Sequence, residues 1–294
     1  MNRFRAVLKD INELIVFKHS VFAMPFIFIA MIIASYEIND SAWFGFRLLI
    51  LGLICAVSAR SFAMAVNRFA DKDIDALNPR TANRPSVDGR IGRLNMAIFI
   101  IFNALLFVFA AWLINEAAFI ASFPILIILA SYSFFKRFSA LAHLVLGLSL
   151  GLAPIAGSIA VLGYMHVWSW LLCFGIMFWV AGFDLLYSLQ DIEFDKKHGL
   201  HSIPSRYGKD AALAISAGFH TMAVIFWLLF AAAASLNFFS YAAVAVSAAI
   251  LFCEHVIVRR DFKKIDRAFF TLNGYLGILF FIFVWIDIVF MTGG

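Results

Sequence analysis

Apolar residues run in long blocks along this chain, and the polar residues gather in the gaps. Nine blocks are close to the roughly 20 residues a helix needs to cross a hydrocarbon core: 20–36, 44–66, 94–114, 117–135, 139–163, 167–187, 211–234, 238–258 and 268–291. The pattern predicts a single all-α membrane domain over residues 1–294, with nine transmembrane helices. Several turns between blocks are short and marked by Pro, Asn or Gly. Two gaps, 67–93 and 188–210, are long and polar. They follow the second and sixth spans, so both fall on one side of the membrane. Residues 1–19 form a basic, mildly amphipathic stretch. It has no short apolar region followed by a small-residue cleavage site, which argues against a removable leader.

Composition agrees with this pattern. The chain is 64% hydrophobic and 14% charged, with a mean hydropathy of +0.93. A soluble domain is nearer 25% charged, so there are too few polar residues to coat a core this apolar. The nine-span arrangement puts 21 of the 23 Lys and Arg residues on one face; only Arg47 falls opposite, and Arg60 lies inside a span. Basic residues mark the cytoplasmic side. The net charge of +5 is then a topology signal, and no nucleic-acid partner is expected. Cys55, Cys173 and Cys253 all lie in apolar runs and read as small buried hydrophobes.

The chemistry concentrates in the two polar gaps. The first opens with "NRFADKDID" at residue 67, and the second with "YSLQDIEFD" at residue 187. Offset by 120 residues, Asp191 aligns with Asp71, Glu193 with Asp73, Asp195 with Asp75 and Tyr187 with Asn67. A Pro followed four residues later by Gly closes both gaps: Pro85 with Gly89, and Pro204 with Gly208. This predicts an internal repeat of four helices, an arrangement that places sites at the repeat interface. Spacing of four puts Asn67, Asp71 and Asp75 on one face of a helix continuing past the second span, and Asp191 and Asp195 on another. Like charges so spaced repel, and hard oxygen ligands suit Mg²⁺ shared with substrate phosphates. The four aspartates carry four negative charges, and a diphosphate would add about three more by analogy with other phosphates. Two Mg²⁺ ions with Lys136 and Arg137, in the turn "YSFFKR", bring that sum near balance.

Together "NRFADKDIDALNPRTANRP", "SYSFFKRFSALAHLVLGLSLGLAPIAG" and "YSLQDIEFDKKHGLHSIP" resemble the UbiA superfamily of intramembrane prenyltransferases. Within it they look most like the 4-hydroxybenzoate polyprenyltransferases and the related enzymes of futalosine-route menaquinone synthesis. The resemblance implies nine helices around a central cavity. It also implies a bacterial inner-membrane enzyme with its site facing the cytoplasm. Its substrates would be a polyprenyl diphosphate and a small aromatic acid, such as 4-hydroxybenzoate or a hydroxynaphthoate, on the way to ubiquinone or menaquinone. By the same resemblance, Asp71, Asp75, Asp191 and Asp195 would hold Mg²⁺. Asn67, Lys136, Arg68 and Arg137 would contact the diphosphate. The usual first motif begins Asn-Asp, whereas Arg68 follows Asn67 here, so the acceptor stays open.

Asp184 and Arg60 fall well inside spans, where ionisable groups are functional candidates. Asp184 lies one turn before Tyr187, and both are assigned to the site. Arg60 lies seven residues before Asn67 on the same helix face, roughly 10 Å deeper. It is expected either to pair with Asp184 or to hold an anionic group of the acceptor. Asp191 is one candidate for the base that removes the ring proton. His198 and His201 lack further ligands for zinc. His143 reads as structural, Glu254 as interfacial, and Gly147, Gly151 and Gly157 with Pro154 as a close-packing surface. Most of the 35 phenylalanines are expected to face lipid or pack helices, the rest to wall a tunnel for the prenyl tail. A cation-coupled transporter, or a prenyltransferase acting on a haem, chlorin or glycerol-phosphate acceptor, are the competing readings.

Overall fold

The computed structural model describes residues 2–15, 24–260 and 271–292. Among these residues all regular elements are helical: α1 (Asn2–Ile15), α2 (Met24–Asn39), α3 (Phe46–Ala70), α4 (Lys72–Leu77), α5 (Arg93–Ile114), α6 (Glu116–Phe135), α7 (Ala142–Leu162), α8 (Val167–Ser188), α9 (Ile192–Lys197), α10 (Ile203–Tyr207), α11 (Lys209–Ala233), α12 (Phe238–Arg260) and α13 (Asn273–Thr292). Eight helical segments are long and apolar enough to span a membrane. The expected first span is represented by α2, a shorter apolar helix of 16 residues. Its expected start at 20–23, and that of the last span at 268–270, lie outside the described residues. So do Lys18, Lys263, Lys264 and Arg267.

The outer surface is what a bilayer requires. Leu94, Ile98, Ile101, Phe102, Leu105 and Phe109 of α5 all point outward, each more than half exposed. With no water to satisfy it, backbone at this depth must be helical. The protein is therefore a multi-pass membrane protein. The amphipathic N-terminal stretch forms α1, which buries Leu14 and Ile15 against Met96.

Close helix approach is built into α7. A Cβ at Gly147 would collide with the Met177 carbonyl of α8, and one at Gly151 would lie 2.6 Å from the Cys173 carbonyl. On another face of α7, a Cβ at Gly157 would lie 2.6 Å from the Ile27 carbonyl of α2. These glycines bring backbones together, as small residues do between membrane helices. Beside them Phe26, Trp179, Trp227, Phe230 and Phe280 form a buried aromatic core.

Two sequence expectations need correction here. Glu254 is buried and not interfacial. It accepts a hydrogen bond from Asn273 (3.0 Å), whose side-chain oxygen takes one from Trp179 (2.7 Å). An acid at this depth needs a partner inside the bundle, and α13 supplies it. Cys55 and Cys173 are buried, but Cys253 is exposed, on the outer face of α12.

Candidate active site

Both acidic motifs interrupt their helices at the first aspartate. After α3, Asp71 has φ −94° and ψ 7°, and after α8, Asp191 has φ −104° and ψ 10°. A short helix restarts beyond each, α4 and α9. The continuous helix expected past the second span is thus kinked at Asp71. The same break at Asp191 is the local counterpart of the 120-residue repeat. The kink keeps the aspartate triad together: Asp75 N–H still reaches the Asp71 carbonyl (2.7 Å), and Asn67 Nδ2 donates to Asp71 Oδ2 (2.9 Å). Asp73 projects outward, away from Asp71 and Asp75, and pairs with Arg137 (2.9 Å).

Basic side chains meet three of the four aspartates, and a serine the fourth. Lys136 Nζ lies 2.7 Å from Asp71. Arg84 Nη1 donates to both oxygens of Asp75 at 2.7 Å. Arg80 binds Asp191 through two nitrogens, at 3.2 and 2.5 Å, and donates a third hydrogen bond to Tyr187 Oη at 2.9 Å. Asn78 adds a contact to Asp191 at 3.3 Å. Ser202 sits within hydrogen-bonding reach of Asp195. Burial pushes the Asp71 carboxyl above its ordinary value, while Lys136 pulls it back. Arg137 holds Asp73 below its ordinary value.

These pairs lock the two linkers across the site. Residues 78–91 fold over it in successive turns: Thr81 Oγ1 donates to the Asp75 carbonyl (2.9 Å), and Arg90 ties the far end to Asp10, Glu13 and Asp88. The second linker joins the basic turn through the His201 N–H and the Lys136 carbonyl (2.8 Å).

Beneath them lie two joined chambers. The polar one, about 320 Å³, is lined by Asn67, Arg68, Lys136, Asp184, Tyr187, Asp191, Asp195, Arg80, Arg84 and His143. The apolar one, about 130 Å³, holds Arg60 among aliphatic side chains of α3, α6 and α7. Met64, Tyr132 and Leu146 border both. Among the described phenylalanines only Phe107 lines the apolar chamber, whose described walls are mainly aliphatic and Ala. Asp71 and Asp75 stand behind Lys136 and Arg84, and Arg137 faces Asp73 outside the chamber.

The expected pairing of Arg60 with Asp184 does not form. Asp184 Oδ2 is 2.7 Å from His143 Nδ1 on α7, the helix packed against its own. Arg60 makes no hydrogen bond among the described residues, and its Nε is buried without a partner. Sequence reasoning missed Asn78, Arg80, Arg84, Tyr132, His143 and Ser202 as site residues. The Arg and Asn content of 76–93 was the available signal for the first three. Tyr132 and His143 carried none beyond their proximity to the basic turn.

Among the described residues no three potential metal ligands converge on one point; the carboxylates face basic side chains instead. The donor set still fits a hard divalent cation, since it is all oxygen and Asp71 Oδ1 is buried without a hydrogen-bond partner.

The model of the UbiA prenyltransferase family matches residues 23–285. Among curated relatives, a 4-hydroxybenzoate octaprenyltransferase of Tolumonas auensis is 26% identical over 240 residues, covering 80% of this chain and 82% of that one. Another of the same name from Aromatoleum aromaticum is 28% identical, covering 83% and 82%. Among solved structures, a UbiA homolog from Aeropyrum pernix superposes with a TM-score of 0.82 at 31% identity, over 92% of this chain and 98% of that one. One from Archaeoglobus fulgidus, bound to GPP and Mg²⁺, gives 0.68 at 22% identity over 95% and 99%, a likeness of fold.

Proposed function

Since the chain belongs to the UbiA prenyltransferase family, and is therefore a transferase rather than a transporter, we propose that it moves a polyprenyl group from its diphosphate to a small aromatic acid. A hydroxybenzoate or hydroxynaphthoate fits, on a route to ubiquinone or menaquinone. The observation that carries the acceptor class is Arg60. Among the described residues its guanidinium has no hydrogen bond, and it lines an apolar chamber next to the polar one. A cation so placed costs about 2.5–3.5 kcal/mol on insertion scales. A carboxylate held by two hydrogen bonds offsets that cost. The names of the curated relatives agree with an acid of this kind.

The diphosphate occupies the polar chamber, against Asn67, Arg68 and Lys136. Asp71, Asp75, Asp191 and Asp195 would hold Mg²⁺, which would supply neutralising charge for the leaving group. Lys136 adds charge where it develops as the C–O bond breaks. The prenyl tail extends into the apolar chamber. Tyr132, at the border, turns a ring toward the allylic cation, which ring faces attract.

Mass spectrometry of products from a panel of prenyl diphosphates and acceptors tests this reading. We expect C-prenylated aromatic acids. Products only from a haem, chlorin or glycerol-phosphate acceptor would overturn it.

We read the site as facing the cytoplasm from a bacterial inner membrane, a reading that the one-sided Lys and Arg support. A cysteine introduced at position 88 is expected to resist an impermeant thiol reagent in intact cells and react after permeabilisation. Labelling in intact cells would invert the topology.

Arg80 and Arg84 are engaged with Asp191 and Asp75 without ligand. Substrate and metal would make them exchange partners, the carboxylates going to the cations and the guanidinium groups to the diphosphate. Residues 76–93 then act as a lid. Trypsin is expected to cut this linker more slowly with geranyl diphosphate and Mg²⁺ present. Equal rates would make it a passive tether.

A further inference from the structure

We propose that His143 is the general base that takes the ring proton after prenyl transfer, with Asp184 as its positioning residue. This rests on the aromatic-acceptor reading above. His143 is in the first turn of α7 and Asp184 is on α8, and both line the polar chamber. Asp184 Oδ2 lies 2.7 Å from Nδ1. With Nδ1 turned to the carboxylate as its donor, Nε2 is the ring nitrogen left to take a proton. Nε2 is buried and, among the described residues, has no hydrogen-bond partner. An unsatisfied buried nitrogen of this kind calls for an explanation. Packing does not provide one, because Gly147 and Gly151 already bring α7 and α8 together.

Position supports the role. His143 precedes Leu146 by three residues, so the two share a helix face, and Leu146 borders both chambers. The ring held by Arg60 from below and the allylic carbon held from above meet at that border. Asp191 serves less well, since it would hold Mg²⁺ and a carboxylate engaged with a cation is a poor base.

The step balances. The allylic C–O bond breaks and diphosphate leaves with the electron pair. A ring carbon beside the hydroxyl forms the new C–C bond, which leaves a cationic ring with one tetrahedral C–H. Nε2 takes that proton, and the C–H electron pair restores the aromatic ring. The imidazolium is stabilised by the Asp184 carboxylate and passes its proton to solvent after product leaves.

The test uses full-length protein in detergent with geranyl diphosphate and 4-hydroxybenzoate deuterated at both ring positions beside the hydroxyl. His143→Gln should lower kcat by about 10²–10⁴-fold, the range for general base catalysis. Both KM values and the melting temperature should stay near wild type. A primary deuterium isotope effect should appear that wild type lacks, because proton loss becomes limiting. Asp184→Asn should give a smaller loss with the same isotope effect, and the double variant should fall no further than His143→Gln. If His143→Gln does not fold, Asp184→Asn carries the decision by its isotope effect. A loss of kcat without an isotope effect, or wild-type turnover in both variants, overturns the base assignment and leaves the acceptor reading intact. Wild-type enzyme that prenylates no aromatic ring overturns both.

Discussion

Replacing Asp71, Asp75, Asp191 or Asp195 with Asn should each lower prenyl transfer by at least ~10²-fold, the scale for losing one electrostatic partner of a transition state. Asn keeps the shape of the side chain and removes the charge. The site has little slack for that. Asp71 is 2% exposed and Asp75 5%, so neither Lys136 nor Arg84 has a ready replacement partner. A site with three carboxylates would also hold Mg²⁺ less tightly than one with four. Chelator should abolish activity in the unmodified enzyme, and Mg²⁺ should restore it. The variants should need more Mg²⁺ for half-maximal rate. Full turnover in chelator would remove the metal from the account, and a wild-type rate in any one variant would remove that residue.

Replacing Arg60 with Ala should raise the acceptor KM by roughly 10- to 150-fold, which corresponds to about 1.5–3 kcal/mol for hydrogen bonds to a charged group. The KM for prenyl diphosphate should stay put, because Arg60 lines the apolar chamber and is absent from the polar one. Arg60→Lys keeps the charge but loses the planar fork, so it should recover part of the affinity and relax the demand for a carboxylate. Since Asp184 pairs with His143, exchanging the charges of Arg60 and Asp184 should rescue nothing. Competition by the phenol lacking the carboxylate gives a direct measure: it should bind the Ala variant about as well as the full acid does. An unchanged acceptor KM in Arg60→Ala would end its assignment to the acceptor.

The chain by itself determined the class of fold, the long spans and the location of the acidic motifs. Long apolar blocks separated by charged gaps admit few structures in a bilayer, where backbone must bond internally. The 120-residue offset was equally readable, and both copies break at the matching aspartate. Partner choice was decided only by tertiary structure. Arg60 and Asp184 carry opposite charges inside two of the spans, which made a pair between them reasonable. The α7–α8 approach through Gly147 and Gly151 gave Asp184 to His143 instead and left Arg60 facing an apolar chamber. The Arg and Asn content of 76–93 marked that linker as more than a tether, but only the turns at 78–91 decided that Arg80 and Arg84 meet Asp191 and Asp75. Hydropathy depends on composition along a segment, so it survives in the sequence. A contact between α3 and α8, or between α7 and α8, depends on how helices rotate and approach, and a tenth of a turn changes which side chains meet.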